Sequence, residues 1–256
     1  MSYSVLKDIF LPFLGTTLGA GCVFFIKNKM NENLHKSLLG FASGVMVAAS
    51  VWSLILPSID KSAHLGALSF LPALIGLWIG VLTMLILDKA LPEPHIEDMS
   101  EKDAIGRSML FMAVTIHNVP EGMAVGAAIA ALLSGDSGLN AAGVFALSAG
   151  IAIQNIPEGS IISMPLAAEG KSKVKAFLYG VLSGVAEPAG AIITIIFASF
   201  VTPALPYMLS FAAGAMLFVS VNELIPQMFS GKKSYAGTVM FALGFTVMMC
   251  LDVALG

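Results

Sequence analysis

The sequence predicts an all-α integral membrane protein of eight transmembrane helices. Helices one to three and six to eight are expected to form an inverted repeat around helices four and five. Three observations predict this class. The chain is 57% hydrophobic and only 11% charged, with a mean hydropathy of +0.89, whereas a soluble domain carries about a quarter charged residues. Its apolar residues gather into eight runs of membrane-spanning length, enough for a hydrocarbon core about 30 Å thick. Its few intramembrane acids recur in a repeated motif. The chain, residues 1–256, therefore reads as a single polytopic membrane domain.

The first run, near Ile9–Ile26, contains Gly19-Ala20-Gly21-Cys22, which faintly resembles a lipoprotein processing site. Lys7 and Asp8 before it, with Lys27 and Lys29 directly after, suit a retained helix instead. The second run lies near Ser37–Leu56 and the third near Leu65–Leu87. The connection Asp88–Arg107 is acidic, carries Pro92, Pro94 and His95, and shows no apolar period, so it reads as a short solvated cytoplasmic loop. Runs four and five, near Ser108–Leu133 and Ala141–Ala167, carry the motifs. Runs six to eight lie near Ala176–Val201, Ala204–Gln227 and Tyr235–Leu255. Cys22 and Cys250 stand in apolar runs without metal-binding spacing, and with Met46 and Met216 they read as packing residues.

Lys and Arg counts set the orientation. Lys27, Lys29, Lys36, Lys89, Lys102, Arg107, Lys171, Lys173, Lys175, Lys232 and Lys233 fall on one side, and only Lys7 and Lys61 on the other. Both termini are therefore expected outside the cytoplasm. Composition excludes a nucleic-acid partner, because no basic run interleaves with aromatic residues. The expected surroundings are the lipid bilayer of the cell membrane.

The polar residues inside the spans carry the chemistry. His117-Asn118-Val119-Pro120-Glu121-Gly122 interrupts run four, and Gln154-Asn155-Ile156-Pro157-Glu158-Gly159 interrupts run five. Glu187-Pro188 interrupts run six. A charge in a span costs several kcal/mol and marks a function by default. Each proline also frees a carbonyl one turn earlier, which membrane depth tolerates only where backbone faces protein or a polar cavity. At 1.5 Å per residue, His117, Gln154 and Glu187 lie about 14, 20 and 17 Å along their helices, so all three reach the midplane. His117 and Glu121 share a helix face, as do Gln154 and Glu158, with Asn118 and Asn155 beside them. Oxygen ligands with a single imidazole suit Zn²⁺, Mn²⁺, Fe²⁺ or Cd²⁺, and neighbouring carboxylates can bridge two ions. Asp88 and Glu223 toward the cytoplasmic side, and Asp60, His64 and Asp252 toward the outer side, are candidates for a transport path or ordinary charges at helix ends.

An internal repeat supports transport. Phe41-Ala-Ser-Gly44-Val-Met46 matches Phe211-Ala-Ala-Gly214-Ala-Met216, which lays Ser53 on Glu223; the same offset lays Thr17 on Glu187. Five helices separate the copies, so they must be inverted, and inverted repeats flanking a midplane site are typical of alternating-access transporters.

At these residues the chain resembles the ZIP (Zrt-, Irt-like) family of divalent-metal transporters, most closely its bacterial GufA-type branch. The resemblance covers essentially the whole chain, and the His-Asn-x-Pro-Glu-Gly motif at His117–Gly122 is highly specific. It implies metal movement into the cytoplasm through a binuclear centre, usually in a homodimer. It also implies that His117, Glu121, Gln154 and Glu158 form one metal site and that Asn118, Asn155 and Glu187 form its neighbour, with Glu121 and Glu158 bridging. A bundle of helices one, four, five and six would then move against a scaffold of two, three, seven and eight. Many relatives have His where this chain has Gln154, and several have a His-rich third loop that it lacks. The transported ion, Zn²⁺ with Cd²⁺, Fe²⁺ or Mn²⁺ as alternatives, is cargo rather than cofactor. An intramembrane metallohydrolase would also bury such a site, but usually through ligand sets such as H-E-x-x-H, which do not occur here. A passive divalent-cation channel is the other alternative.

Overall fold

The computed structural model of the chain describes residues 3–25, 31–90, 104–135, 140–168, 170–200, 202–231 and 234–255. Lys27, Lys29, Pro92, Pro94, His95, Lys102, Lys232 and Lys233 lie outside these residues. No strand occurs among the described residues. α1 spans Tyr3–Gly21 and closes in the 3-10 turn Cys22–Phe24. α2, Glu32–Ala49, runs through a π-helical segment, Ser50–Ile55, into α3, Leu56–Lys61. α4 is Phe70–Ala90, α5 Ala104–Leu133 and α6 Ala141–Ala168. α7, Lys173–Gly184, is followed after Val185 by α8, Ala186–Phe200. α9, Leu205–Val219, passes through a second π segment, Ser220–Leu224, into α10, Ile225–Phe229, and α11 is Ala236–Leu255.

α1, α2, α5 and α7 start earlier than their apolar runs, α5 at Ala104 within the expected loop, and for α2 and α7 polar caps set the beginning. The Asn31 side chain accepts from the Asn33 N–H at 2.9 Å, and the Ser172 side chain from the Lys175 N–H at 3.4 Å, so each satisfies a donor the first turn leaves free. Each π segment stands just before a proline, Pro57 or Pro226. A proline ring meets the carbonyl four residues back and has no N–H to offer it. Widening the preceding turn, with Leu56 N–H bonded to Val51 O and Ile225 N–H to Ser220 O, moves that carbonyl aside while the helix continues.

Six helical rods among the described residues are long and apolar enough to cross a membrane: Ser4–Phe24, Glu32–Lys61, Phe70–Ala90, Lys173–Ala198, Leu205–Phe229 and Ala236–Leu255. The chain is thus a multi-pass α-helical membrane protein. α5 and α6, of 30 and 28 residues, carry the two motifs.

The helices pair closely in a regular way: α1 on α6, α5 on α8, α2 on α11 and α4 on α9. Small residues make this possible, since lipid gives no hydrophobic drive and contact must come from close backbone approach. A Cβ at Gly44 would collide with the Phe241 carbonyl, and one at Gly214 with the Leu77 carbonyl. The pairs leave a central core rich in fully buried alanines, including Ala124, Ala127 and Ala128 of α5 and Ala212, Ala213 and Ala215 of α9. Met46 and Met216 fill it as packing residues. α11 stands at the edge of this core, giving it the fully buried Met248: 17% of its spanning stretch is buried, against 67% for the α2–α3 rod. Cys250 is therefore exposed on α11 and Cys22 only half-buried, so the thiols do not both pack inside as expected.

Candidate functional site

The three interrupted segments meet where α1, α5, α6 and α8 converge. The motif glycines set the spacing. A Cβ on Gly122 would collide with the backbone of Glu187, and one on Gly159 with the backbone of Thr16. Each glycine thus lets its helix rest directly on the partner that carries the next polar residue. Pro188 has no N–H for the Gly184 carbonyl, and the rod breaks into α7 and α8 around Val185. The Asn118 side chain donates to the neighbouring Ser183 carbonyl at 3.1 Å, so a motif amide satisfies backbone that the break has opened. Glu187 follows in the first turn of α8, where a helix N-terminus favours an anion.

Asn118, Gln154, Asn155 and Glu187 are fully buried, Glu121 is 1% exposed and Glu158 8%. Gln154 Nε2 donates to Glu121 Oε1 at 2.8 Å, joining the two motifs directly. Thr16 of α1 donates its hydroxyl to Glu187 Oε1 at 2.5 Å. Asn155 lies against both Glu121 and Glu187, without a hydrogen bond of ordinary geometry to either. Glu158 lies within electrostatic reach of Glu121, Glu187 and Glu223. No lysine or arginine pairs with Glu121, Glu158 or Glu187 among the described residues.

This bonding leaves a residue of unmet demand. Asn118 Oδ1, Glu121 Oε2, Gln154 Oε1, Asn155 Oδ1 and Glu187 Oε2 are all buried without a hydrogen-bond partner. Native proteins pair nearly all buried polar atoms, so each exception calls for an explanation. Five such oxygens, on carboxylates and amides, are of the type that a hard or borderline cation takes as ligands; the Asn155 amide nitrogen beside them is unpartnered too. Among the described residues, no three His, Cys, Asp or Glu side chains are arranged on their own to hold an ion. His117 lies on α5 one turn before Glu121, and its side chain is outside the described residues.

The remaining candidates divide. Asp60 and His64 are exposed. Asp252 is buried and accepts from Ser53 Oγ at 2.6 Å, rather than standing solvated at a helix end, because α11 packs it against the first π segment. Asp88 accepts from Asn222 Nδ2, in the second π segment, at 3.4 Å. Thr16 escaped the sequence reading, which set Thr17 opposite Glu187. The structure brings Thr16 to that carboxylate, a contact the repeat alignment does not predict, since it matches equivalent positions of two copies rather than partners in contact.

The chain is similar in sequence to known proteins. Residues 92–252 match the family model described as "ZIP Zinc transporter". The chain is 34% identical to Zinc transporter ZIP11 of Xenopus tropicalis, over 94% of each sequence. It is 36% identical to Zinc transporter ZIPB of Bordetella bronchiseptica, over 95% of this chain and 79% of that protein. It is 30% identical to Zinc transporter GufA of Myxococcus xanthus, over 94% of this chain and 96% of that one.

Proposed function

The chain belongs to the ZIP zinc transporter family, a family of transporters rather than enzymes, and from that premise we propose that it carries divalent transition-metal ions into the cytoplasm through the polar cluster at its centre. The observation that carries this reading is the set of five buried, unpartnered oxygens on Asn118, Glu121, Gln154, Asn155 and Glu187, beside acids that no basic residue among the described residues neutralises. A divalent ion supplies both the missing charge and the missing bonds. His117, Glu121, Gln154 and Glu158 hold one ion, and Asn118, Asn155 and Glu187 a second, with Glu121 and Glu158 shared. Zn²⁺ is the leading cargo, in keeping with the relatives named above. Gln154 broadens the range toward Mn²⁺, Fe²⁺ and Cd²⁺, since an amide oxygen is harder than an imidazole nitrogen.

The chain works as one domain of eight spans, α5 and α6 included, built as an inverted repeat. The helix pairings support this, because exchanging the halves turns α2 on α11 into α9 on α4, and α1 on α6 into α8 on α5. The contacts of Gly44 with Phe241 and of Gly214 with Leu77 exchange likewise. The polar pairs Ser53–Asp252 and Asn222–Asp88 correspond to within one residue, since Ser53 falls on Glu223 next to Asn222; each involves a π segment and can supply an acid along the path. α1, α5, α6 and the α7–α8 rod move as a bundle against the other helices. The alanine-rich contact between the groups supports sliding, since it offers few side chains to interlock. Both termini and the turn at His64 lie outside the cytoplasm of a cell-membrane protein that works as a homodimer in the bilayer.

Uptake into proteoliposomes under defined metal gradients tests the reading. Wild-type protein should accumulate Zn²⁺ saturably. Glu121→Ala and Glu158→Ala should each reduce uptake at least about 100-fold, since removing one carboxylate leaves a buried dication short of charge by several kcal/mol. Wild-type rates in well-folded Glu158→Ala protein would refute the shared-ligand assignment.

A further inference from the structure

Hydroxyl side chains inside these helices usually turn back on their own backbone. Ser43 donates to the Leu39 carbonyl, Ser50 to Met46, Ser148 to Val144 and Thr246 to Ala242, each four residues earlier. Thr16 departs from this habit and reaches across to Glu187 Oε1, 171 residues away. Its position leaves little freedom. Thr16 is fully buried, its backbone bears on Gly159, and a Cβ built on Gly184 would stand 3.0 Å from its Cβ and Cγ2. β-Branching already limits its χ1 within a helix. Its hydroxyl is thus held on one of the two Glu187 oxygens, while Oε2 remains buried and unpartnered.

Resting on the metal-centre reading above, we infer that Thr16 is a specificity-determining residue of the centre: by donating to one oxygen of Glu187, it draws on that oxygen's donor capacity and favours coordination of the ion through the other oxygen alone. A cation satisfied by few, short bonds loses little by this. Zn²⁺, which favours four ligands, is such an ion. Mn²⁺ prefers six oxygens and gains more from a carboxylate offering both. Thr16 therefore tilts a donor set rich in oxygen back toward the smaller coordination number. It acts through Glu187 and need not touch the ion.

The test uses purified full-length wild-type, Thr16→Val, Thr16→Ser and Glu187→Gln proteins. Bound Mn²⁺ is followed by its electron paramagnetic resonance signal while Zn²⁺ is titrated in, giving the ratio of the two dissociation constants. Thr16→Val keeps the shape and removes the donor, so it should shift the ratio about tenfold toward Mn²⁺, the scale of a hydrogen bond to a charged group. Thr16→Ser, which retains the hydroxyl, should stay close to wild type. Should the valine variant not fold, Thr16→Ala carries the same expectation. An unchanged ratio, an equal loss of both metals, or an equal shift in the serine variant would overturn the inference. Glu187→Gln separates this outcome from failure of the parent reading: wild-type metal stoichiometry in that variant would remove Glu187 from the ligands, whatever Thr16→Val does.

Discussion

Replacing Gly122 by alanine adds one methyl group to the first motif and tests whether backbone contact sets the ligand geometry. The new Cβ would fall 2.7 Å from the Glu187 carbonyl carbon and 2.8 Å from its Cα, besides colliding with the carbonyl oxygen. Ordinary carbon contacts are about 3.5–4.0 Å, so α8 would have to retreat by about 1 Å. Two effects on stability then compete. Alanine gains up to about 1 kcal/mol of helix propensity over glycine, and overpacking costs about 1–3 kcal/mol, toward the upper end where the obstacle is backbone, so the net loss is about 2 kcal/mol. The metal centre is less forgiving. Metal–ligand distances hold to within about 0.2 Å, and Glu187 would be displaced by several times that. The expected result is a thermal midpoint only a few degrees lower with a Zn²⁺ affinity at least about 100-fold weaker, a loss of roughly 3 kcal/mol. Gly21→Ala serves as control, because a Cβ there meets nothing within 4 Å. Affinity is read by competition with a fluorescent chelator and stability by scanning fluorimetry on the same preparations. Wild-type Zn²⁺ affinity in Gly122→Ala would show that α8 does not depend on this contact to place Glu187, and the geometric argument would fail.

The proposed orientation predicts that a cysteine placed at His64, exposed in the turn after α3, reacts with an impermeant thiol reagent in intact cells, while one at Ser172 is shielded. The reverse labelling would invert the orientation and with it the direction of uptake. Gln154→His should raise Zn²⁺ affinity over Mn²⁺ by about tenfold, since one ring nitrogen can take over the bond that Gln154 Nε2 now makes to Glu121 while the other faces the ion. An unchanged competition ratio between Mn²⁺ and Zn²⁺ uptake, at matched pH, would place Gln154 outside the ligand set.

Much of the site was legible without coordinates. A carboxylate in a span is so costly that Glu121, Glu158 and Glu187 announce themselves, and counting residues along each helix brings them to a common depth. The amides followed from their position beside those acids. Thr16 did not follow, because a threonine in a span costs little and most such hydroxyls are satisfied by their own helix. Asp252 looked like a solvated end residue for a similar reason: hydropathy places it near a terminus, and only the packing of α11 on α2 turns it onto Ser53.

The sequence by itself determined the solvent and the secondary structure. These follow from composition, run length and the rise of a helix, quantities that add up along the chain and need no knowledge of neighbours. Tertiary structure decided what depends on two helices at once. Pro57 and Pro226 could have kinked or ended their helices, but interhelical contact kept the rods continuous and each turn widened into a π segment instead. Val185 became the break between α7 and α8, where the Asn118 side chain from α5 bonds the Ser183 carbonyl. The register of α1 against α8, which selects Thr16 over Thr17, is fixed by where Gly159 and Gly184 let the backbones touch. Glycine spacing shows that a helix can be approached closely, whereas the partner and its register depend on the shapes of both surfaces.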